Sequence, residues 1–582
     1  MTQTSNEIPV SQPLSPTVRA LWIALILSTL YLCYFHNLGA LGLVGPDEPR
    51  YAWIARDMQE TGDWVTPRLY GNPWFEKPPL YYWGAALSFK YFGVSDTSAR
   101  LPCAISALLA TLALAWLTLR LYGAETARWL LLLLPTTVGM IGFSHSAATD
   151  MPFAAMLTIA MVFAAKLLNL IPSVTAQSQS SAAAGSPLRS LTSLTSSTFF
   201  TSLLFGVFLG LATLAKGPAA IILSGGAVLL WTVFTKRWRD AFRCLHPVAI
   251  SSFCLTALPW YILCARRNPD FFHVFIIEHN FNRFLTPQFQ HIQPIWYYVP
   301  IFILAVFPWI FFHVLAKLQF LANWRRRLPE SQTQAFLLAW AGFTFLFFTL
   351  AKSKLPGYIM PAIPPMALLM ANATASTAGE SSRSPRWPVL GTGLALLIFG
   401  IVLQRQAQKI PQMLCVGPAC GVTPIWASAV AGGIAVSFLA ALRRLRIGLF
   451  TAVLATLLLV AEVERFLPDI DAGISARSAV YSVKSVWPEF SAENSAVWQI
   501  NRSFVYQLNY YAGKEIHDWK TGEPRPVWLF VPKGKQREAA GLGFRCLNSV
   551  VLPAVIPCRD AGSPGGLAGG GAGGNLGDRQ PR

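Results

Sequence analysis

Stretches of about 20 mostly apolar residues, long enough to cross roughly 30 Å of hydrocarbon as a helix, recur along most of this chain. They fall at about 20–40, 101–119, 127–146, 151–170, 199–215, 218–234, 247–264, 297–316, 334–351, 355–372, 388–404, 425–441 and 447–466, giving about 13 transmembrane helices. A water-soluble fold needs charge to cover itself, yet only 13% of the 582 residues are charged and 53% are hydrophobic; soluble domains carry roughly 25% charged residues. The sequence therefore specifies a polytopic α-helical membrane protein. The formal net charge of +19 is not a nucleic-acid signature, because Lys and Arg punctuate apolar runs instead of clustering among polar residues. Nine cysteines show no CxxC and no Cys/His ligand spacing, so no zinc or redox motif is legible in them. The first apolar run lacks a small-residue cleavage pattern and reads as an uncleaved span.

Basic clusters orient the spans. Arg120 to Arg128, Lys236-Arg237-Trp238-Arg239, Arg325-Arg326-Arg327, Arg383 to Arg386 and Arg443-Arg444-Leu445-Arg446 all fall in alternate connections, which puts those connections and the N-terminus in the cytoplasm. The remaining connections face outward: about 41–100, Ser144 to Asp150, Lys216, about 265–296, Lys352 to Tyr358 and 405–424. Residues 1–466 then form the membrane domain, with the long outer loop at about 41–100. Residues 467–560 form a small outer α/β domain, where Val527-Trp528-Leu529-Phe530-Val531 between prolines reads as a strand. The Gly-rich tail 561–582 cannot build a core and reads as disordered. Cys415/Cys420 and Cys546/Cys558 lie on the outer side, where a disulfide persists; spacing leaves bonded and free thiols equally open.

The residues with chemistry gather in the outer connections. Gly45-Pro46-Asp47-Glu48-Pro49-Arg50-Tyr51 opens an amphipathic stretch with Ile54, Ala55 and Met58 on its apolar face, which holds Asp47 and Glu48 at the rim of the spans. Thr149-Asp150-Met151-Pro152 repeats the pattern at another outer mouth. Each Asp also reads as a plain helix cap ahead of a first-turn proline. Cations stand at the same level: Lys77, Lys216 in Ala215-Lys216-Gly217-Pro218, Arg283, and Lys352 and Lys354 in Lys352-Ser353-Lys354-Leu355-Pro356-Gly357-Tyr358. One such Lys is as readily a snorkelling side chain. Several together, against the positive-inside bias, point to an anion held at the outer face, and a lipid phosphate fits that depth. Gly217-Pro218, Pro356-Gly357 and Pro361 to Pro365 break helices beside them; broken backbone at membrane depth lines a cavity or forms simple tight turns.

Taken together, Asp47-Glu48-Pro49-Arg50-Tyr51, Gly62-Asp63-Trp64, Phe75-Glu76-Lys77-Pro78-Pro79-Leu80-Tyr81-Tyr82-Trp83, Ala99-Arg100-Leu101-Pro102, Thr149-Asp150, Ala215-Lys216-Gly217-Pro218 and Lys352-Ser353-Lys354-Leu355-Pro356-Gly357-Tyr358 resemble the bacterial aminoarabinose transferases that modify lipid A. These sit within the protein O-mannosyltransferase-like clan. The resemblance covers about residues 20–370 and implies a GT-C glycosyltransferase fold with a small periplasmic C-terminal domain. It implies transfer of a sugar, 4-amino-4-deoxy-L-arabinose, from an undecaprenyl (polyprenyl) phosphate donor to lipid A on the periplasmic face of the bacterial inner membrane. By motif, Asp47 is the main catalytic carboxylate, with Glu48 beside it and Asp150 as a second. Lys77 and Arg283 hold the donor phosphate, with Lys354 and Tyr358 near it and Arg50, Tyr51 and Lys216 as further binding residues. Glu76 and His279 correspond to a divalent-metal (zinc) pair in the family.

The chemistry suits those residue types. Positive charge develops at the anomeric carbon as the lipid phosphate departs, so cations fixed beside that phosphate stabilise the transition state more than the ground state. Lys77 and Arg283 can do this without a divalent ion. A single displacement inverts the anomeric centre, with Asp47 taking a proton from an acceptor hydroxyl, or acting electrostatically if the acceptor is already an anionic phosphate. Two other readings stay open: the same donor chemistry with a protein or other envelope glycan as acceptor, and a transporter or flippase of lipid-linked sugars. Transporters commonly carry internal repeats, and none is evident here.

Overall fold

The computed structural model describes residues 15–171, 187–282, 285, 292–326, 330–379, 384–407, 426–547 and 554–563. Arg283, His291 and Cys415/Cys420 lie outside the described residues, as does the tail beyond residue 563. Among the described residues, eight helices are long and apolar enough to cross a membrane, and a ninth is gained if a bent pair counts as one span. They are Pro16–Tyr34, Asp96–Leu133, Asp150–Leu167, Thr198–Lys216, Pro247–Arg267, Ser331–Leu350, Trp387–Gln406 and Leu445–Ile474. Ala219–Thr235 and Ala427–Ala441 are shorter apolar helices, and Ile363–Ala378 follows a tight turn over Pro356–Ala362. The chain is a multi-pass membrane protein.

The apolar runs and the helices differ where proline intervenes. The run at 127–146 stops at Leu133 and resumes as the short helix Val138–Ser144, because Pro135 has no N–H to continue the ladder. The run at 297–316 divides at Pro308 into Tyr298–Ala305 and Ile310–Arg325, bent by 105°. Between Arg120 and Arg128 the backbone leaves helical geometry at Gly123, whose φ of 86° suits a residue without Cβ.

Among the candidate spans of the described residues, helix Asp150–Leu167 is the most buried. It is apolar all round and rich in alanine, and 83% of its apolar window is buried within the protein, as small residues let neighbouring helices close in. It packs on the helices Asp96–Leu133 and Pro187–Lys216. Pro16–Tyr34 and Pro247–Arg267 are buried over only 28%, so their apolar faces suit lipid. Asp150 thus stands at the mouth of the most buried of these spans.

The 41–100 loop is structured. Helix Asp47–Thr61 starts with two acids in its first turn, favoured by the helix dipole, and ends on Gly62 in the left-handed region (φ 73°). Tyr51, Ala52, Ile54, Ala55 and Met58 bury its apolar face. A small hairpin pairs Arg68–Leu69 with Asn72–Pro73, and helix Leu80–Phe92 follows. After the last long helix, five strands form a sheet in the order His517–Asp518, Ser495–Val497, Trp528–Pro532, Val555–Asp560, Phe544–Cys546. The first three run parallel and the other pairings are antiparallel. Helix Arg477–Val486 packs on the strand Val555–Asp560 and on helix Arg502–Ala512, which also packs on helix Asp47–Thr61, and Cys546 is disulfide-bonded to Cys558 across adjacent strands.

Candidate active site

Two charged groupings meet at the mouth of helix Asp150–Leu167. The first is built by the 41–100 loop. Helical spacing sets Arg50 one turn after Asp47, and its guanidinium lies 2.5 Å from Asp47 Oδ1 and 2.9 Å from Glu76 Oε2. Lys77 Nζ is 3.8 Å from the other Glu76 oxygen. Tyr51, Trp74 and Tyr506 pack their rings on the guanidinium, with centroids at 5.2, 5.3 and 5.7 Å. Such cation–π contacts fix a buried Arg without neutralising it. Tyr51 is itself buried against Tyr81 and Tyr82.

Asp47 does not cap its helix: Pro46 occupies that position with no side-chain cap bond, and the Asp47 carboxylate accepts from Arg50. Water reaches nearly half of its side chain (46%), so it is accessible from a recess. Burial by the surrounding protein raises its pKa above the ordinary carboxylate range. Arg50 opposes this, Glu76 adds to it, Lys77 opposes it and Asp150 adds to it. Asp150 is therefore close enough to act on Asp47 through space.

Asp150 anchors the second grouping. It also leaves its helix uncapped and pairs with Lys216 across the bundle. Lys216 in turn sits over the Tyr358 ring at 4.3 Å. The Pro356–Ala362 turn approaches so closely that a Cβ on Gly357 would stand 2.6 Å from Asp150 Cγ. Tyr358 is buried against Phe348, and buried Lys354 donates to the Ala351 carbonyl at 2.7 Å. Burial and the neighbouring Lys352 lower the Lys354 pKa.

Glu48, expected beside Asp47 at the reacting centre, turns inward instead. Its carboxylate accepts from Arg100 Nη2 at 2.8 Å, from the Val44 N–H at 2.8 Å and from the Ala147 N–H at 2.6 Å. Arg100 also donates to the carbonyls of Leu38, Leu41 and Gly42. Every strong acceptor direction on Glu48 is taken, so its geometry is that of a positioning group that ties the loop to helix Asp96–Leu133 and to the turn ahead of helix Asp150–Leu167.

Glu76 is already compensated by Arg50 and Lys77, and among the described residues no three His, Cys, Asp or Glu side chains gather as ligands. His279 lies on the segment His273–Asn282; Phe271, just ahead of it, packs edge-on to Phe75, next to Glu76, and stacks on Phe275 within the segment. Sequence reasoning passed over Trp74 and Tyr506 as partners of Arg50. Trp74 stood next to a quoted motif; Tyr506 lies more than 400 residues along the chain in a helix with no local signal.

Fold and charged mouth together define a class: a multi-pass membrane protein of the GT-C fold. Within it, the comparisons agree on the kind of relative. Residues 20–275 match the family described as dolichyl-phosphate-mannose-protein mannosyltransferase. The chain is 32% identical over 382 residues to the undecaprenyl phosphate-alpha-4-amino-4-deoxy-L-arabinose arabinosyl transferase of Edwardsiella ictaluri (strain 93-146), covering 65% of this chain and 63% of that one. It is 33% identical over 341 residues to the enzyme of the same name from Enterobacter sp. (strain 638), covering 58% and 57%. The match thus spans somewhat under two thirds of these relatives' length. The crystal structure of ArnT from Cupriavidus metallidurans bound to undecaprenyl phosphate superposes with a TM-score of 0.69 at 22% identity, over 94% of this chain and 98% of that one; this likeness shows the fold. The family resemblance drawn from the motifs agrees with what the comparisons find: this chain is similar to the aminoarabinose transferases over somewhat under two thirds of their length.

Proposed function

We propose that this protein is an integral membrane glycosyltransferase that moves 4-amino-4-deoxy-L-arabinose from undecaprenyl phosphate to lipid A, at the periplasmic face of the inner membrane. The observation that carries the reading is the convergence of Asp47, Arg50, Glu76 and Lys77 with the Asp150–Lys216 pair at one mouth of the bundle. The names and identities of the relatives support the donor and sugar. In this reading the outer-loop site and the C-terminal sheet both face the periplasm.

An acceptor oxygen attacks the anomeric carbon, and the bond from that carbon to the donor phosphate oxygen breaks with its electron pair going to the phosphate. Lys77, together with Arg283 from beyond the described residues, stabilises the departing dianion where charge grows, which is how fixed cations lower a barrier. Lys354 and Tyr358 border the same space. Asp47 accepts the proton of a hydroxyl acceptor, its raised pKa making it a better base than a free carboxylate; with a phosphate acceptor it orients the sugar's amine instead. Arg50, with the Tyr51 ring packed on it, and Glu76 hold Asp47 in place, Glu48 positions the loop, and Asp150 with Lys216 shape the neighbouring wall. Direct in-line displacement inverts the anomeric centre.

Mass spectrometry of lipid A from cells with and without the gene tests the reading. An aminoarabinose increment that depends on the gene is expected. Unchanged lipid A alongside release of undecaprenyl phosphate by the purified protein would favour a protein or other glycan acceptor.

A further inference from the structure

The outer-loop turn at Leu69–Trp74 and the C-terminal sheet face each other across a recess of about 820 Å³, which no step above uses. Its volume lies in the range of about 300–1,000 Å³ typical of small-molecule sites. Trp74 and Tyr506 line it and are also the rings packed on Arg50, so recess and reaction centre share a wall.

The lining has the chemistry of a saccharide site. Tyr70 and Trp498 add aromatic faces to those of Trp74 and Tyr506, suited to the apolar faces of sugar rings. Charge is balanced: Arg502 and Lys520 are set against Glu515 and Asp518. A site for a bare anion would carry an excess of cations. Paired donors and acceptors instead match a ligand whose hydroxyls do both. The buried Trp74 Nε1–H finds no acceptor among the described residues, and buried donors ordinarily have one. Tyr70 and Gln499, on opposite walls, both hold positive φ (53° and 56°) without being glycine, a conformation retained where surrounding structure fixes it and often found at ligand sites.

We propose that this recess is the acceptor's saccharide subsite, holding a hydroxyl-rich ring of the acceptor glycan between the loop aromatics and the C-terminal sheet. The assignment rests on the glycosyl-transfer reading: the shared Trp74–Tyr506 wall leads the acceptor's reacting oxygen toward Asp47. Phosphate groups on the acceptor are not what the recess recognises.

The test uses the full-length protein in lipid nanodiscs, titrated with the deacylated, dephosphorylated glucosamine disaccharide of lipid A and, separately, with inorganic phosphate. Tryptophan fluorescence should report saturable disaccharide binding that phosphate does not compete away. Trp498→Ala and the exposed Arg502→Ala should each weaken it about ten-fold and raise the KM for lipid A about as much, with the donor KM unchanged. Absence of disaccharide binding, wild-type binding in both variants, or displacement by phosphate would each overturn the proposal. A wild-type protein that transfers nothing to lipid A defeats the reading of lipid A as acceptor, while the disaccharide titration still decides the recess.

Discussion

Asp47 carries opposed demands. Burial disfavours its charge while Arg50 and Lys77 favour it, and burial wins, so the folded protein holds this carboxyl above its ordinary pKa. A carboxyl raised on folding binds protons more readily in the folded state, so its ionisation costs stability at neutral and higher pH, and the cost fades as pH falls through the raised pKa. Asp47→Asn should therefore abolish turnover while leaving the thermal midpoint at pH 7.5 equal to or above wild type, with the difference shrinking on acidification. A clear drop in the midpoint at pH 7.5 would contradict that balance. Wild-type turnover should fall on the acid side at a pH above the ordinary carboxylate range, read from a pH–rate profile. Gly357 gives a second prediction. Its Cα abuts the Asp150 carboxylate, so Gly357→Ala must push Asp150 off Lys216 or shift the turn; turnover should fall at least about ten-fold, and a fully active variant would show that the close approach is not needed.

At the scale of elements, helix Asp47–Thr61 is held where it is by the buried Glu48–Arg100 pair. Removing one partner of such a pair costs about 3–5 kcal/mol, because the other stays charged and buried. Glu48→Gln should accordingly lower the unfolding midpoint and reduce turnover with no change in the shape of the pH profile, separating a positioning group from a base; a wild-type midpoint would refute the role. Much of this element structure was legible in the sequence. Apolar runs gave helices because hydrocarbon demands internally satisfied backbone, and Asp47, Glu76 and Lys77 were readable as neighbours because one loop carries them all. The breaks at Pro135 and Pro308 were not, since proline is tolerated inside membrane helices when neighbours satisfy the freed groups. That Glu48 faces Arg100 while Asp47 faces Arg50 was not readable from their adjacency, because successive helical positions point about 100° apart. Tyr506 was invisible, since a contact made across more than 400 residues leaves no period or spacing to read.

For the whole molecule, the shared wall matters only if the C-terminal sheet is held firmly on the outer loop, and Arg477 is the clamp. Its guanidinium meets Asp96 at 2.8 Å and Asp471 at 2.9 Å and donates to the carbonyls of Gly39 and Ala40 at 2.8 and 2.9 Å. Tyr511 adds a bond to Asp96 at 3.0 Å and accepts from the Leu43 N–H at 2.6 Å. Asp96 and Asp471 are nearly buried, so Arg477→Ala strands two carboxylates and should cost about 3–5 kcal/mol. Lysine should not restore the clamp, because a single ammonium cannot span acceptors that a planar five-donor fork reaches at once. Loosening the sheet carries Tyr506 away from Arg50, so both Arg477 variants should lose turnover and release a C-terminal fragment under limited proteolysis that the wild type retains. Retained activity together with an intact proteolytic pattern would mean that the loop holds Arg50 without help from the C-terminal sheet.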